Sequence, residues 1–508
     1  MELEETVLHA LARAISGGDA DAVETVAEVK EEAPPGQVIE CGATVALGDY
    51  PAPSLGGGGA AVASDAEWAE HRVILGLQMV QHVVTERWDQ CDAATRAAAK
   101  DTAFTLADTF ATDPGVLADS GSRFLLRKSA AVVADLAVRE WPQRWPDLFD
   151  GLVDRADSDG GCGGYAFFAA AVIRALLEEV HEFGHTIEGD RRRDLVKSLA
   201  EIADVYLGLL ARCLAAALET LRQEEAPAAE AVLTEVLEAL KPCFEHTPLP
   251  PLLDVGVLPE LCELLQHGGL RLTAADCLLL GVARKGPLAD RAPLLALLDN
   301  FELVSAAVPD GDPHNADDHT FLKRLAQFVS VLGSNQLCAI WSSKGLQKDA
   351  PPNFGEYLFA IMTLLQHKSR LVSSFALAAW IQVFKHDLAV KHEVMHEAIG
   401  PLIETVLDAL VRRGSMADGF GGDAELEAYA LLDFDDDEDY TEFFGIYRNN
   451  LNNLSRLIAS AFPEQALYAA VGQLVSVSEQ PGAMAVEWEA ATVFIVQVLG
   501  VTFASIKR

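Results

Sequence analysis

Apolar residues recur at helical spacing through almost the whole chain. One such stripe, in which neighbours lie three or four residues apart, runs through Leu195, Leu199, Ile202, Tyr206 and Leu209. At that spacing the side chains share one face of an α-helix. Alternation at the strand period of two is scarce. The pattern therefore predicts an all-α protein.

Proline, glycine and aspartate divide this pattern into segments mostly of about 14 to 22 residues, longer than the average globular helix. The predicted helices include 67–86, 92–110, 123–140, 164–182, 191–221, 227–244, 317–340, 354–366, 369–386, 440–461 and 487–505. Helix pairs with short links return about every 40 residues, near the period of HEAT repeats. We expect a HEAT-repeat α-solenoid, a superhelix of antiparallel helix pairs, and the alternative is a large helical bundle.

Two stretches interrupt the helical pattern. The first, at 33–65, is rich in proline and contains a run of four glycines, so we expect a flexible insertion there. The second, at 416–439, is rich in glycine and then strongly acidic, so we expect an acidic loop. This organisation suggests N-terminal repeats at 1–155, which carry the insertion, and further repeats at 156–508, which carry the loop.

Charge and cysteine content narrow the class of protein. The chain has 76 acidic residues against 38 lysines and arginines, a formal net charge of −38, so its average surface repels nucleic acid and anionic lipid. Any RNA contact must then be local, whereas basic protein partners are attracted. The eight scattered cysteines form no CxxC pair and predict reduced thiols in an intracellular protein.

Neither a membrane segment nor a secretion signal is predicted. The first residues are acidic rather than basic and apolar, which differs from a signal peptide. The longest apolar stretch, 165–177, contains Arg174 and falls short of the roughly 20 residues that span a bilayer.

The sharpest local motif is the run REWPQRWPDL at 139–148. It places two Trp-Pro pairs at a predicted helix junction, formed by Trp141, Pro142, Trp145 and Pro146. Proline ends one helix and fits the first turn of the next, and two indoles one turn apart can fill the seam between repeats. We interpret these four residues as structural.

The same run resembles the signature of the exportin branch of the importin-β (karyopherin) superfamily, and within it the exportin-5 group. Further similar segments follow in the same order at 68–89, 191–199, 270–298, 321–341, 353–387, 431–444 and 486–495. The resemblance implies the N-terminal half of a monomeric nuclear export receptor that has no enzymatic activity and needs no cofactor. The insertion near 48–65 and the end at Arg508 depart from the family pattern.

The resemblance also implies partners. They are Ran-GTP, nucleoporins and a structured RNA cargo, double-stranded or hairpin, such as precursor microRNA, with shuttling between nucleus and cytoplasm and no membrane association. Residues 1–155 resemble the N-terminal region that binds Ran, where the candidate residues are Arg72, Gln78, His82 and Arg87. A receptor for basic protein cargo is the alternative that the net charge favours.

The acidic run Asp435, Asp436, Asp437, Glu438 and Asp439 is a second candidate for Ran. An EF-hand is excluded, because the sixth position from Asp433 is Glu438 rather than glycine and the twelfth is Phe444 rather than glutamate. The remaining alternatives are attraction of a basic surface of Ran and a cap on the helix that starts near Tyr440.

Basic clusters are the candidates for RNA phosphate contacts. Their members are Arg191, Arg192, Arg193 and Lys197, then Arg284, Lys285 and Arg291, then Lys323 and Arg324, with Lys368 and Arg370 as a fourth group. The alternative is that each cluster is a solvated helix end, because cations favour helix C-termini.

One motif points to different chemistry. The segment from His181 to His185 fits HExxH, in which two histidines bind zinc and the glutamate acts as the base of a peptidase. The longer metzincin pattern fails, since Glu188 and Arg191 stand where glycine and histidine are needed. We favour a coincidence at a helix end and expect no metal, with a zinc peptidase as the alternative.

Overall fold

The computed structural model describes residues 2–17, 19–51, 64–113, 115–183, 187–223, 226–308, 315–480 and 485–506. They form two compact units, Met1–Val257 and Leu258–Arg508. Regular structure in the described residues is helical, apart from one isolated β-bridge between Trp341 and Gln347. The prediction of an all-α chain is confirmed. None of the described helices has both the length and the apolar character that a bilayer crossing requires.

The N-terminal unit is built from stacked helix pairs. Its helices are α1 (Glu2–Gly17), α2 (Ala20–Glu32), α3 (Pro35–Leu47), α4 (Asp65–Glu86), α5 (Ala93–Ala111), α6 (Ser120–Glu140), α7 (Leu148–Ser158), α8 (Gly164–His181), α9 (Gly189–Glu201), α10 (Ala203–Gln223), α11 (Pro227–His246) and α12 (Leu249–Asp254). Helices α4, α6, α8 and α11 pack side by side as one layer, and their chain neighbours α3, α5, α7 and α10 pack against them.

The C-terminal unit repeats this arrangement. Its helices are α13 (Leu258–Leu264), α14 (Arg271–Ala283), α15 (Leu288–Arg291), α16 (Phe301–Ala306), α17 (Ala316–Val331), α18 (Cys338–Ile340), α19 (Phe354–Gln366), α20 (Arg370–Lys385), α21 (Val394–Leu410), α22 (Ala424–Asp433), α23 (Asp437–Ala461), α24 (Pro463–Glu479) and α25 (Ala485–Ile506). One layer runs through α14, α17, α20, α23 and α25, and the other through α13, α16, α19, α21 and α24. Each unit is therefore an α-solenoid, as predicted.

Helix starts are encoded locally by capping side chains. Ser64 and Glu67 form a reciprocal capping box at the start of α4, and Asp92, Asp119 and Ser369 each accept a backbone N–H of the helix that follows. These bonds satisfy donors that have no partner within the helix. The predicted helix at 191–221 is two helices, α9 and α10, which meet at Ile202 because they pack on different neighbours.

The prediction of a flexible insertion at 33–65 is wrong for 35–47, which form α3. Pro35 stands at the first turn of the helix, where its missing N–H has no cost, and Val38 and Val45 are buried against α4. A Cβ on Gly42 would lie 2.7 Å from the backbone oxygen of Gly76, so this glycine permits close helix packing. The glycine run of the predicted insertion lies outside the described residues.

The prediction of an acidic loop at 416–439 is also wrong in large part. Residues Met416–Gly422 form a 3₁₀-helix, α22 follows, and α23 already begins at Asp437. Leu426, Tyr429 and Ala430 of α22 are buried, so apolar positions overrode the glycine and aspartate content of the segment.

A buried carboxylate links three helices of the N-terminal unit. Glu235 of α11 is fully buried, and its Oε2 lies 2.6 Å from Nε of Arg127 on α6, while its Oε1 lies 3.0 Å from a guanidinium nitrogen of Arg174 on α8. Buried charges of this kind are stable only when they are paired. Glu235 therefore couples three neighbouring helices of one layer.

We predict that Glu235→Ala lowers the free energy of unfolding by about 3 kcal/mol, because it leaves two arginines without their buried partner. The matched control is Glu238→Ala on the same helix, whose ion pair with Lys241 is half-exposed and is expected to contribute less than about 0.5 kcal/mol. Urea denaturation followed by circular dichroism measures both variants. Equal loss of stability in the two variants would contradict this role of Glu235.

Candidate functional site

A polar cleft of about 1000 Å³ lies in the N-terminal unit, along the C-terminal ends of α4, α6 and α8. We call it the N-terminal cleft. Its charged lining residues include the basic Lys30, His82, Arg96, Arg139, Arg144 and Arg191, and the acidic Glu86, Asp89, Asp135, Glu179 and Glu188. The balance of both signs of charge suits it to binding a polar surface.

One acid in the cleft is electrostatically unusual. Burial raises the pKa of Asp135 to about 6, although a hydrogen bond of 2.8 Å from Nε2 of Gln81 opposes this shift. The negative charge of Glu179 raises the pKa further, and Arg139 lowers it. Asp135 therefore titrates nearer to neutral pH than an ordinary aspartate does.

Two of the four early Ran candidates line the cleft. Gln78 is exposed and His82 is half-buried, with its Nε2 3.4 Å from Oε1 of Glu31. Both side chains come from α4. They remain available to a partner that enters the cleft.

The other two candidates are buried and hold helix ends. Arg72 donates to the backbone oxygens of Val45 and, at 3.1 Å, of Ala46 at the end of α3, and burial lowers its pKa. Arg87 donates to the oxygens of Lys30 and Ala33 around the end of α2, at 2.6 and 2.8 Å. We therefore remove Arg72 and Arg87 from the set of residues that could contact Ran.

The Trp-Pro segment lies in the core beside the cleft. Trp141 packs on Phe149 with ring centroids 5.3 Å apart, and Trp145 packs on Phe104 at 5.5 Å. Both indoles are buried. The structure thus places the signature tryptophans in packing positions, with Pro142 and Pro146 in the connection from α6 to α7.

Glu140, which precedes the first Trp-Pro pair, collects several partners although its side chain is buried. Its Oε1 lies 3.1 Å from Arg144 and accepts a hydrogen bond of 3.1 Å from the indole of Trp88, and its Oε2 lies 3.4 Å from Lys100. Arg96 is 3.8 Å away. Glu140 thereby ties α5, α6 and the turn after α4 together.

Most of the predicted RNA-binding residues have partners within the protein. Arg191 donates to the backbone oxygen of Val138 at 2.9 Å and to that of Trp141, at the end of α6. Arg192 donates to the oxygens of Val180 and His181 at 2.7 and 2.6 Å, at the end of α8. These arginines cap the ends of neighbouring helices. The alternative to RNA binding had instead predicted that they lie in solvent at the end of their own helix.

The clusters of the C-terminal unit behave similarly. Arg291 donates to the oxygen of Asn335 at 3.0 Å, Lys323 lies 3.3 Å from Asp433, and Arg324 lies 2.6 Å from Asp276. Of the fourth group, Lys368 pairs with Asp423 at 3.3 Å, while Arg370 is buried. Except for the exposed Lys368, these cations are held by the fold and are poorly placed for phosphate contacts.

Besides Lys368, four predicted RNA-binding residues remain at the surface to different extents. Arg193 forms an exposed pair with Asp190, and Lys197 lies 3.7 Å from Glu201 in an exposed pair. Lys285 is exposed, and Arg284 is half-buried at the end of α14. Exposed pairs of this kind contribute little to stability, so Arg193, Lys197 and Lys285 can rearrange toward a ligand.

The acidic run caps a helix, as one of its two interpretations predicts. Asp436 accepts the backbone N–H groups of Glu438 and Asp439, both at 2.9 Å, at the start of α23. Asp437 accepts the N–H of Met416 at 2.8 Å. The carboxylates of Asp435, Glu438 and Asp439 remain exposed.

Asp433, just before this run, is instead a buried link between helices. Its carboxylate accepts hydrogen bonds from Nε2 of His319 and from the hydroxyl of Ser369, both at 2.7 Å. Burial raises the pKa of Asp433, but these bonds and the charges of His319 and Lys323 outweigh it, so the net shift is downward. Sequence reasoning used Asp433 only as the start of a rejected calcium loop and missed this role.

Comparisons with known proteins show two matching families. Residues 122–278 match the Exportin 1-like protein family, and residues 316–501 match the Exportin-5 family. Human and mouse exportin-5 are each 26% identical to this chain over 85% of its length, and Dictyostelium discoideum exportin-5 is 24% identical over 77%. The chain is therefore similar to the exportin-5-like karyopherins over most of its length.

The matches cover part of each relative. This exportin-5-like chain spans 38% of the human and mouse proteins and 34% of the Dictyostelium protein, which agrees with the predicted correspondence to an N-terminal half. Among solved structures, an engineered protein aligns with 98% of the chain at 13% identity and a TM-score of 0.45, a likeness too low to bear on the fold.

The names of these relatives also bear on the class of protein. The relatives are named as exportins and not as enzymes, in agreement with the prediction of no enzymatic activity. The second histidine of the HExxH motif, His185, lies outside the described residues, so the geometry of a peptidase site in this exportin-5-like chain is not described.

We predict that Arg191→Ala loosens the end of α6, because the oxygens of Val138 and Trp141 lose their donor. Amide hydrogen exchange of the peptide covering 133–145 is expected to accelerate by about ten-fold, which corresponds to about 1.4 kcal/mol. Arg193→Ala, two residues further along α9, is the control and should leave this peptide unchanged. Unaltered exchange in Arg191→Ala would show that the cap is dispensable.

Proposed function

We propose that this chain is a nuclear export receptor that binds Ran in its GTP form together with an RNA cargo and shuttles between nucleus and cytoplasm. The observation that carries the proposal is the similarity to exportin-5 over 85% of the chain, on a fold of stacked helix pairs. The receptor acts as a monomer. It binds its partners without catalysing a reaction and without a cofactor, and it passes nuclear pores through contacts with nucleoporins.

A solenoid offers a physical basis for coupling Ran to cargo. Each repeat contacts only its neighbours, so small rotations at successive seams add up to a change in curvature. If Ran-GTP and cargo both favour the same curvature, each raises the affinity for the other, because binding free energies are coupled reciprocally. Hydrolysis of GTP would remove this coupling and release the cargo.

The N-terminal cleft is the proposed contact for Ran. Most of its lining residues belong to the repeats at 1–155 that we propose as the Ran-binding region, and it presents Gln78 and His82 beside acidic and basic groups. The exposed carboxylates of Asp435, Glu438 and Asp439 in the C-terminal unit form a second, separate contact for basic residues of Ran. Exposed charges of this kind mainly accelerate association.

We predict that the chain binds Ran-GTP far more tightly than Ran-GDP. We also predict that Gln78→Ala combined with His82→Ala weakens the GTP complex by about ten-fold, which corresponds to about 0.7 kcal/mol for each truncated side chain. Surface plasmon resonance with both nucleotide forms measures this. His71→Ala, on an exposed position two turns earlier in α4, is the control. Equal affinity for both nucleotide forms would refute the Ran proposal.

RNA cargo would contact the surface cations that the fold leaves accessible. Arg193 and Lys197 lie on one face of α9, and Lys285 lies in the link after α14. Each of these two groups could contact phosphates of an RNA duplex without reading bases, since the deep major groove hides base edges. A hairpin with a duplex stem, such as a precursor microRNA, is the proposed ligand.

Basic protein cargo is the second candidate. It is favoured by the net charge of −38 and by the use of Arg191, Arg192, Arg291, Lys323 and Arg324 inside the fold. Arg191, Arg192 and Arg291 are directed at backbone oxygens, so they are not paired with the carboxylates that are in excess in this chain. Such an excess of carboxylates attracts basic proteins.

We predict that a hairpin RNA binds with a salt dependence that falls when Arg193, Lys197 and Lys285 are all changed to alanine. Each lost phosphate contact lowers the slope of log affinity against log salt by about 0.7 to 0.9. Fluorescence anisotropy over a salt series measures the slope. The control replaces three exposed lysines outside the clusters, Lys344, Lys348 and Lys391. Absent RNA binding alongside capture of a basic protein would favour the second candidate.

A further inference from the structure

Two histidine–glutamate pairs meet at one edge of the N-terminal unit. His181 is the last residue of α8 and is followed by Glu182, while Glu245 and His246 are the last two residues of α11. The imidazoles of His181 and His246 stack with centroids 4.4 Å apart and planes within 8°. The helices α8 and α11 are neighbours in one layer, so their ends bring four metal-binding side chains together.

The side chains are spaced as ligands of one ion would be. One ligand atom from each of Glu182, Glu245 and His246 lies within 4.8 Å of the other two. Neither carboxylate has an ion-pair partner among the described residues. Two neighbouring carboxylates repel each other unless a cation lies between them.

The imidazole of His246 has a nitrogen that can act as a metal ligand. Nε2 of His246 is buried and has no hydrogen-bond partner in the described part of the chain. The charge of Arg192 is directed at the backbone oxygens of Val180 and His181.

We propose that Glu182, Glu245 and His246 bind a zinc ion that joins the ends of α8 and α11. An imidazole nitrogen with two carboxylate oxygens is a donor set that suits zinc, whereas calcium and magnesium take oxygen ligands alone. The two carboxylates balance the charge of the ion. A fourth position is left for water.

This site differs from the peptidase interpretation of HExxH. In a peptidase the two histidines of the motif hold the metal and the glutamate is the base. Here Glu182 is a ligand, and its partners come from α11, which the motif does not include. His181 is a positioning residue, because it stacks on His246 and orients that ring.

The first test is zinc binding to the full chain after treatment with a chelator. Isothermal titration calorimetry with zinc chloride is expected to show one site that Glu182→Gln combined with Glu245→Gln weakens by at least about ten-fold. Both residues are exposed, so the variant should fold. The control is Glu230→Gln, which lies at the other end of α11. Unchanged zinc affinity in the double variant would overturn the proposal.

A second pair of variants separates the ligand from the stacking ring. Both His246→Phe and His181→Phe keep an aromatic ring, but only the first removes a proposed ligand. Zinc is expected to raise the melting temperature of the wild type and of His181→Phe, and not that of His246→Phe. Loss of the zinc effect in His181→Phe alone would overturn the assignment, and so would an equal response to calcium or magnesium. Circular dichroism verifies that each variant is folded.

Discussion

Arginine capping of a neighbouring helix is the interaction on which the N-terminal unit depends. The last turn of every helix leaves carbonyl oxygens without a partner, and these oxygens carry partial negative charge. In this unit, guanidinium groups from elsewhere in the chain supply the missing donors. The capping residues are Arg72 for α3, Arg87 for α2, Arg139 for α4, Arg191 for α6 and Arg192 for α8. Each cap also fixes the distance between two elements, so the seams and the helix ends are stabilised by the same bonds.

Buried carboxylates complement these caps. Glu140 and Glu235 in one unit, and Asp433 in the other, each bind groups from several elements. A charge at such a position is tolerated only with its partners in place, which makes the packing of neighbouring repeats specific. Through these caps and buried carboxylates, many of the arginine and lysine side chains bind groups within the protein, although the chain has few of them and a net charge of −38. The surface left to a partner is correspondingly acidic.

The fold was largely predictable because apolar residues recur at helical spacing within each individual segment of the sequence. The predicted helix at 354–366 coincides with α19. The prediction fails at α3 because Pro34 and Pro35 are typical of a linker, although a proline at the first turn followed by an apolar residue such as Val38 is also typical of a helix start. The functional residues were less predictable. The sequence shows that Arg191 and Arg192 are positively charged, but it does not show whether their side chains face the solvent or a neighbouring helix. A detectable signal was the position of Glu235 within an apolar stripe, which is typical of a paired buried acid.

The caps also have an order along the chain. In all five, the arginine follows the helix whose end it holds, and for Arg191 the interval back to Val138 is 53 residues. A ribosome synthesising about 5 to 20 residues per second needs about 3 to 10 s to cover that interval. During that time α6 has emerged with an open end, and it is completed only when the following repeat arrives. For α2, α4 and α6, whose caps lie 53 to 57 residues further along the chain, maturation during translation therefore lags about one repeat behind synthesis. A pause at such a seam leaves the preceding helix exposed to chaperones and proteases.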